Sequence, residues 1–274
     1  MLFILSFIID IDRGVNMETV IIILVPFFGS VIGALSVFFF KNKVSVVVEK
    51  ILLGFAAGVM MAASVFSLLI PSIDYSSSMG DFSFVPAVVG FVFGMIFLLV
   101  LDTYTPHMHI HSNETEGPSK SFKKKTMLFL AMLIHNIPEG MAVGVVLAGM
   151  ISGATEITLL STLSLSIGIA LQNMPESAVV AFDAKNNGES RTKAFLQGVA
   201  SSTVEPLGTV FMLLFSGIFI GILPYFLSFA AGAMIYVVVE ELIPSSQTGK
   251  HTNVATIGVM IGFALMLILD VALG

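Results

Sequence analysis

The sequence predicts an all-α polytopic membrane protein: eight transmembrane helices in a bundle with an inverted repeat, both termini outside the cytoplasm. Three observations predict it. Of 274 residues, 56% are hydrophobic and 11% charged, with mean hydropathy +1.01, against about a quarter charged in a soluble domain. That excludes a water-soluble globule. Apolar runs of about 18 residues or more, the length that crosses a hydrocarbon layer, recur along the chain. Basic residues collect in alternate connections between those runs.

The runs are 19–40, 51–70, 84–101, 126–149, 157–182, 194–220, 225–243 and 252–273. Stretches such as Phe91 to Leu101 are apolar on every side, which a transmembrane barrel strand of alternating polarity is not. Lys41, Lys43 and Lys50 lie between spans one and two; Lys120, Lys123, Lys124 and Lys125 between three and four; Lys185, Arg191 and Lys193 between five and six; Lys250 between seven and eight. The intervening connections, 71–83, 150–156 and 221–224, have no basic residue, and only Arg13 falls on the other side. Eight spans with outward termini satisfy every connection, whereas seven or nine break the alternation. Residues 1–9 form an apolar run too short to cross; it is an interfacial segment, or Met17 is an alternative start, or, less well supported, it is a signal peptide. The long connection 102–125, with Gly, Pro, Ser and a Lys cluster, reads as a flexible cytoplasmic loop.

The single domain 1–274 has no Cys, so there is neither a disulfide framework nor a thiolate metal site. Its net charge of −6 matters less than where each charge sits. By these boundaries no basic residue lies within a span, but Glu139, Glu176, Glu205, Glu240, Glu241 and Asp270 do. A carboxylate in mid-membrane costs at least about 2.5 kcal/mol, so protons or metal cations must neutralise the central ones. Asp270, near the C-terminus, reads instead as a wet span end.

Span four contains His135-Asn136-Ile137-Pro138-Glu139-Gly140 and span five Gln172-Asn173-Met174-Pro175-Glu176-Ser177. At 100° per residue, Glu139 falls about 40° round the helix from His135, with Asn136 at 100°, so the carboxylate projects between two other donors. Gln172, Asn173 and Glu176 repeat this fan, and a two-metal arrangement with shared carboxylates follows naturally. Pro138, Pro175 and Pro206 each free a backbone carbonyl one turn back, which predicts kinks beside the ligands. The two spans run in opposite directions, so their motifs can be related by a two-fold axis in the membrane plane. Imidazole, amide and carboxylate without thiolate suit Zn²⁺, Fe²⁺ or Mn²⁺ rather than Cu(I).

These residues, with Glu205 to Gly208 (EPLG), the His-containing loop and the stretch GFAAGVMMAASVFSLLIPSID at 54–74, resemble the ZIP (Zrt-, Irt-like protein) metal transporters, most closely prokaryotic members. The resemblance implies a binuclear mid-membrane site: His135, Glu139, Gln172 and Glu176 around one ion, and Asn136, Glu139, Asn173, Glu176 and Glu205 around the other. It also implies an outer approach through Met60, Ser67 and Asp74, and an inner exit through Asp102, His107, His109, Glu240 and Glu241. The chain departs from many relatives at Gln172, where His is common, at Asn173, where some carry an acid, and at Ser177, where Gly is usual. For His107, His109 and His111 a solvated loop is the competing reading, and Met60 reads more simply as packing.

Function follows as uptake of a divalent metal, Zn²⁺ first, with Cd²⁺, Fe²⁺ or Mn²⁺ as substitutes, across the inner (plasma) membrane. The expected partners are the metal ions and the lipid bilayer, with no nucleic acid; a homodimer is compatible. The chain is not expected to be an enzyme. Two other classes compete: an intramembrane metallohydrolase, which lacks H-E-x-x-H and a spare general base, and a proton-relay component whose acids bind no metal.

Overall fold

Asn16, Ser45, Thr158 and Ser190 each accept the backbone N–H three residues on, which sets the starts of four helices. The computed structural model describes residues 16–40, 45–108, 117–118, 124–153, 157–249 and 252–273. Joining adjacent α, π and 3-10 turns, we label the helical stretches α1 (Met17–Phe39), α2 (Val46–Tyr75), α3 (Phe84–Tyr104), α4 (Lys124–Ile151), α5 (Leu159–Asn186), α6 (191–214), α7 (Leu223–Ser246) and α8 (Val254–Leu273). Short helical turns at Ser216–Phe219 and Ile220–Ile222 join α6 to α7. No strand pairing beyond an isolated bridge at His107 occurs among the described residues.

The protein is thus all-helical, and α1, α2, α3, α4, α7 and α8 are each long and apolar enough to cross a membrane. α5 and α6 do not meet that measure. The first carries the polar Gln172, Asn173 and Glu176, and the second is interrupted by a 3-10 turn at Ser201–Thr203. Several helices outrun the expected spans: α2 begins at Val46 and ends at Tyr75, and α3 continues to Tyr104. One expectation is overturned. Lys50 lies inside α2 and is buried, so a basic residue does belong to a span.

The prolines act unevenly. α4 and α5 continue through Pro138 and Pro175 without interruption. Pro206 cannot bond the carbonyl of Ser202 four residues back, and the pitch changes to a 3-10 turn at Ser201–Thr203 just ahead of it. Pro26 cannot bond the carbonyl of Ile22, and Ser166 of α5 donates to that oxygen at 2.8 Å instead. α2 and α7 widen to π turns at Ser64–Leu69 and Val238–Leu242, just before Pro71 and Pro244. The residue preceding each proline donates five residues back, Ile70 to Val65 and Ile243 to Val238. These turns expose a repeat that the two metal motifs did not reveal: Phe-Ala-Ala-Gly and Leu-Ile-Pro-Ser occur at 55–58 and 69–72 in α2, and at 229–232 and 242–245 in α7. The spacing differs by one residue, and so do the lengths of the π turns, six against five. An extra residue is what a π-bulge accommodates.

Packing is strongest in the pairs α2 with α8, α3 with α7, α1 with α5 and α4 with α6. Small residues let these backbones touch. Gly90 and Gly94 of α3 lie against Tyr225 and Phe229 of α7, and Gly258 and Gly262 of α8 against Ile51 and Phe55 of α2. Gly29 and Gly33 of α1 meet Ala170 and Met174 of α5. Contacts of α6 with α1 and α5, and of α7 with α2, gather these pairs into two groups, one of α1, α4, α5 and α6 and one of α2, α3, α7 and α8. The main apolar core joins them, with Leu53, Met60, Leu165, Ile169 and Met234 among its buried side chains.

Candidate metal centre

All seven expected ligands lie in the first helix group and none is more than 5% exposed: His135, Asn136 and Glu139 on α4, Gln172, Asn173 and Glu176 on α5, and Glu205 on α6. Gly140 brings the last of these into range. A Cβ there would overlap the Glu205 carbonyl, so only glycine lets α6 approach α4 at this level. The corresponding place on α5 is Ser177, and there it is Gly198 of α6 that lacks a Cβ, lying against the Ser177 carbonyl.

Within this knot Gln172 Nε2 donates to Glu139 Oε1 at 2.9 Å, and Asn173 Nδ2 donates to Glu205 Oε2 at 2.8 Å and to the Pro26 carbonyl at 3.4 Å. Asn136 Nδ2 donates to Ser202 Oγ at 3.4 Å, and Ser202 in turn to Ser30 Oγ at 2.6 Å. Ser30 and Ser202 are therefore supporting residues that sequence reasoning missed; small hydroxyls are common in apolar helices, and neither belongs to a metal-ligand motif. The glutamates are also near enough to act on one another electrostatically, Glu139 on Glu176 and Glu205, and Glu176 on Glu205.

Oxygen lone pairs are left over. Glu139 Oε2, Gln172 Oε1, Asn173 Oδ1, Glu176 Oε1 and Glu205 Oε1 are buried and accept no hydrogen bond from the described residues. Each such group in a low-dielectric interior costs on the order of 1–3 kcal/mol. All five are acceptors, and no Lys or Arg occurs at 126–184 or 194–249. A cation answers all five together, and imidazole beside carboxylate and amide oxygens is a donor set that fits a first-row divalent ion. Among the described residues no three His, Asp or Glu side chains are gathered as a ready cage; the amides of Gln172 and Asn173 bond to the carboxylates instead.

Residues expected on the outer approach divide. Met60 is buried in the core, and its carbonyl accepts from Ser64 Oγ at 2.8 Å. Asp74 is exposed near the end of α2. Ser67, in the π turn, donates to Asp270 Oδ1 at 2.6 Å, which ties the acid read as a wet span end to the approach and links α2 to α8.

At the opposite end Asp102, 6% exposed, accepts from Tyr236 at 3.1 Å and faces His107 Nε2 at 2.9 Å. His107 is fully buried, with Nδ1 2.8 Å from the Thr105 carbonyl. Both ring nitrogens thus face oxygen acceptors, the arrangement of an imidazolium–carboxylate pair. The adjacent acids also differ: Glu240 is exposed, while Glu241 is 2% exposed and lines a cavity of about 10 Å³ with His135 and Glu176. That space holds about one water. A larger cavity of about 280 Å³, between α4, α5 and α6, is bordered by Asp183, Glu189 and Gln197 and reaches Met132 and Ser201. Met132 lines both cavities. His109 and most of the expected flexible loop lie outside the described residues.

The chain is similar to known zinc transporters. A family model described as ZIP Zinc transporter matches residues 106–270. Zinc transporter ZIPB of Bordetella bronchiseptica is 38% identical over 237 residues, covering 85% of this chain and 74% of its own. Zinc transporter ZIP11 of Homo sapiens is 32% identical over 320 residues, covering 88% and 93%. Zinc transporter GufA of Myxococcus xanthus is 36% identical over 213 residues, covering 76% and 81%.

Proposed function

The chain belongs to the ZIP family of zinc transporters, and from that premise we propose that it carries a divalent metal ion, zinc before cadmium, iron or manganese, into the cytoplasm. The supporting observation is the set of five buried oxygens on Glu139, Gln172, Asn173, Glu176 and Glu205 that accept no hydrogen bond from the described residues. A proton on one carboxylate satisfies one neighbour; a metal satisfies several at once. Three carboxylates carry up to three negative charges, and two divalent ions come closer to balancing them than none does. His135, Glu139, Gln172 and Glu176 hold one ion, and Asn136, Glu139, Asn173, Glu176 and Glu205 the other. Binding requires the amides of Gln172 and Asn173 to turn from donors to the carboxylates into oxygen ligands of the metal.

Eight spans with outward termini in the inner membrane accommodate this path. Ser67, Asp74 and Asp270 line the outer approach, with Met60 packed between it and the site. Glu241, then Asp102 and His107 with His109, draw the ion inward, and the cavity beside Asp183 and Glu189 opens to the same side. The helix pairs support an inverted repeat. Exchanging α1 with α6, α2 with α7, α3 with α8 and α4 with α5 carries the pair α2–α8 onto α7–α3, and α1–α5 onto α6–α4. Because every ligand sits in one helix group, movement of that group against the other exposes the site to each side in turn. Homodimerisation is compatible with this mechanism and not required by it.

Uptake of Zn²⁺, Cd²⁺, Fe²⁺ and Mn²⁺ into proteoliposomes tests the proposal. Wild type is expected to fill the vesicles with Zn²⁺, and Glu139→Ala and Glu176→Ala to lose that uptake. Wild type no better than empty vesicles, or full uptake by both variants, would sink it.

A further inference from the structure

A groove of about 1040 Å³ runs between α1, α2 and α5 on the side away from the seven ligands, at the upper end of the volumes that hold small molecules. Its walls are apolar: Ile32 and Phe40 at α1, Val48 and Ile51 on α2, Met174 and Phe182 on α5. Ile32, Phe40, Val48 and Ile51 are exposed at its surface. From Ile32 to Phe40 the helix rises about 12 Å, so the groove reaches from the end of α1 to the level of the Gln172–Glu176 motif.

Among the described residues, positive charge stands at the Phe40 end of the groove. Lys185 Nζ donates to the Phe40 carbonyl at 2.7 Å and lies 5.7 Å from the centre of the Phe182 ring, itself a wall of the groove. Arg191 Nη1 donates to the Phe38 carbonyl at 3.4 Å. The bond to Phe40, a wall of the groove, places Lys185 beside the mouth, and Arg191 stands two carbonyls further back at the same end of α1. Hydrocarbon alone has no use for the cations, and a free phosphate none for the apolar walls.

We propose that this groove binds an anionic phospholipid, its phosphate beside Lys185 and Arg191 and an acyl chain between α2 and the α1–α5 pair. The chain would then bridge the two helix groups whose relative movement the transport reading requires. Binding is measured without transport, so the two readings fail separately.

The test is retention of phosphatidylglycerol or phosphatidylcholine by the full-length chain, purified and delipidated, followed by native mass spectrometry across a lipid titration. A basic side chain at the membrane surface favours an anionic lipid about five-fold. Phosphatidylglycerol is therefore expected to bind about 25-fold more tightly than phosphatidylcholine, with Lys185→Gln and Arg191→Gln each removing about five-fold of that preference. Val48→Trp, which fills the groove from its exposed rim, is expected to abolish retention of both lipids. Equal retention of the two lipids by wild type overturns the proposal, as does phosphatidylglycerol retention unchanged in Val48→Trp and in Lys185→Gln with Arg191→Gln. The natural chain has no cysteine, so disulfide formation between two copies of Val48→Cys would show a second protomer covering the groove, and would also overturn it.

Discussion

Replacing Glu139 with Gln removes a charge and keeps the shape. The new amide oxygen can accept from Gln172 Nε2 where Oε1 now does, at 2.9 Å, so the metal-free protein is expected to fold as before. It should be at least as stable, because one of three mutually repelling buried carboxylates is gone. The metal-bound protein should differ sharply. A carboxylate about 4 Å from a divalent ion contributes about 8 kcal/mol at an effective dielectric constant of 20. If the amide dipole and rearrangement of the remaining acids recover somewhat more than half, about 3 kcal/mol is lost, or about 150-fold in Kd. Thermal unfolding in detergent reads this directly. At a Zn²⁺ concentration about 100 times the wild-type Kd, linkage stabilises the native state by about 2.7 kcal/mol, which raises Tm by about 5–10 °C in a chain of this size. For Glu139→Gln the same concentration falls below the new Kd, and the rise should shrink to about 1 °C. A variant that keeps the full Zn²⁺-dependent shift would refute the placement of Glu139 at a shared metal site. A large loss of metal-free stability would instead make the carboxylate a structural element.

Two further outcomes follow from particular contacts. Glu241→Gln should slow Zn²⁺ uptake about ten-fold or more with the thermal shift by Zn²⁺ retained, because Glu241 lines the small cavity with His135 and Glu176, whereas Glu240→Gln, at an exposed position, should transport as wild type; equal effects would remove Glu241 from the exit. Gly94→Ala places a Cβ into the Phe229 carbonyl and must part α3 from α7; a cost of about 2 kcal/mol lowers Tm by about 4–8 °C, and an unchanged Tm would mean that this contact is not close.

Much of the site was legible because chemistry and helical period coincide there. His135, Asn136 and Glu139, and Gln172, Asn173 and Glu176, are polar residues in helices that are otherwise apolar, so each stands out without knowledge of the fold. Glu205 with Pro206 stands out for the same reason. Ser30, Ser202 and Asp270 did not. A small hydroxyl has no periodic signature that marks it as a partner of the site, and an acid near a terminus reads as solvated until Ser67 is found 2.6 Å away. Glu240 and Glu241 were one feature in the sequence, and they separate only when the π turn of α7 buries the second and exposes the first.

By itself the sequence determined membrane residence, the helical class, the metal motifs and the family, because each depends on local composition or on spacing within one helix. Pairing of helices was beyond its reach. Gly94 against Phe229, Gly140 against Glu205 and Gly198 against Ser177 are contacts between distant segments, and a glycine announces that something may come close without saying what. Nor could spacing show that all seven proposed ligands fall in one helix group, or that Lys185 and Arg191 stand beside the last carbonyls of α1. Those facts come from backbones that touch across the bundle, where van der Waals contact, not periodicity, selects the partner.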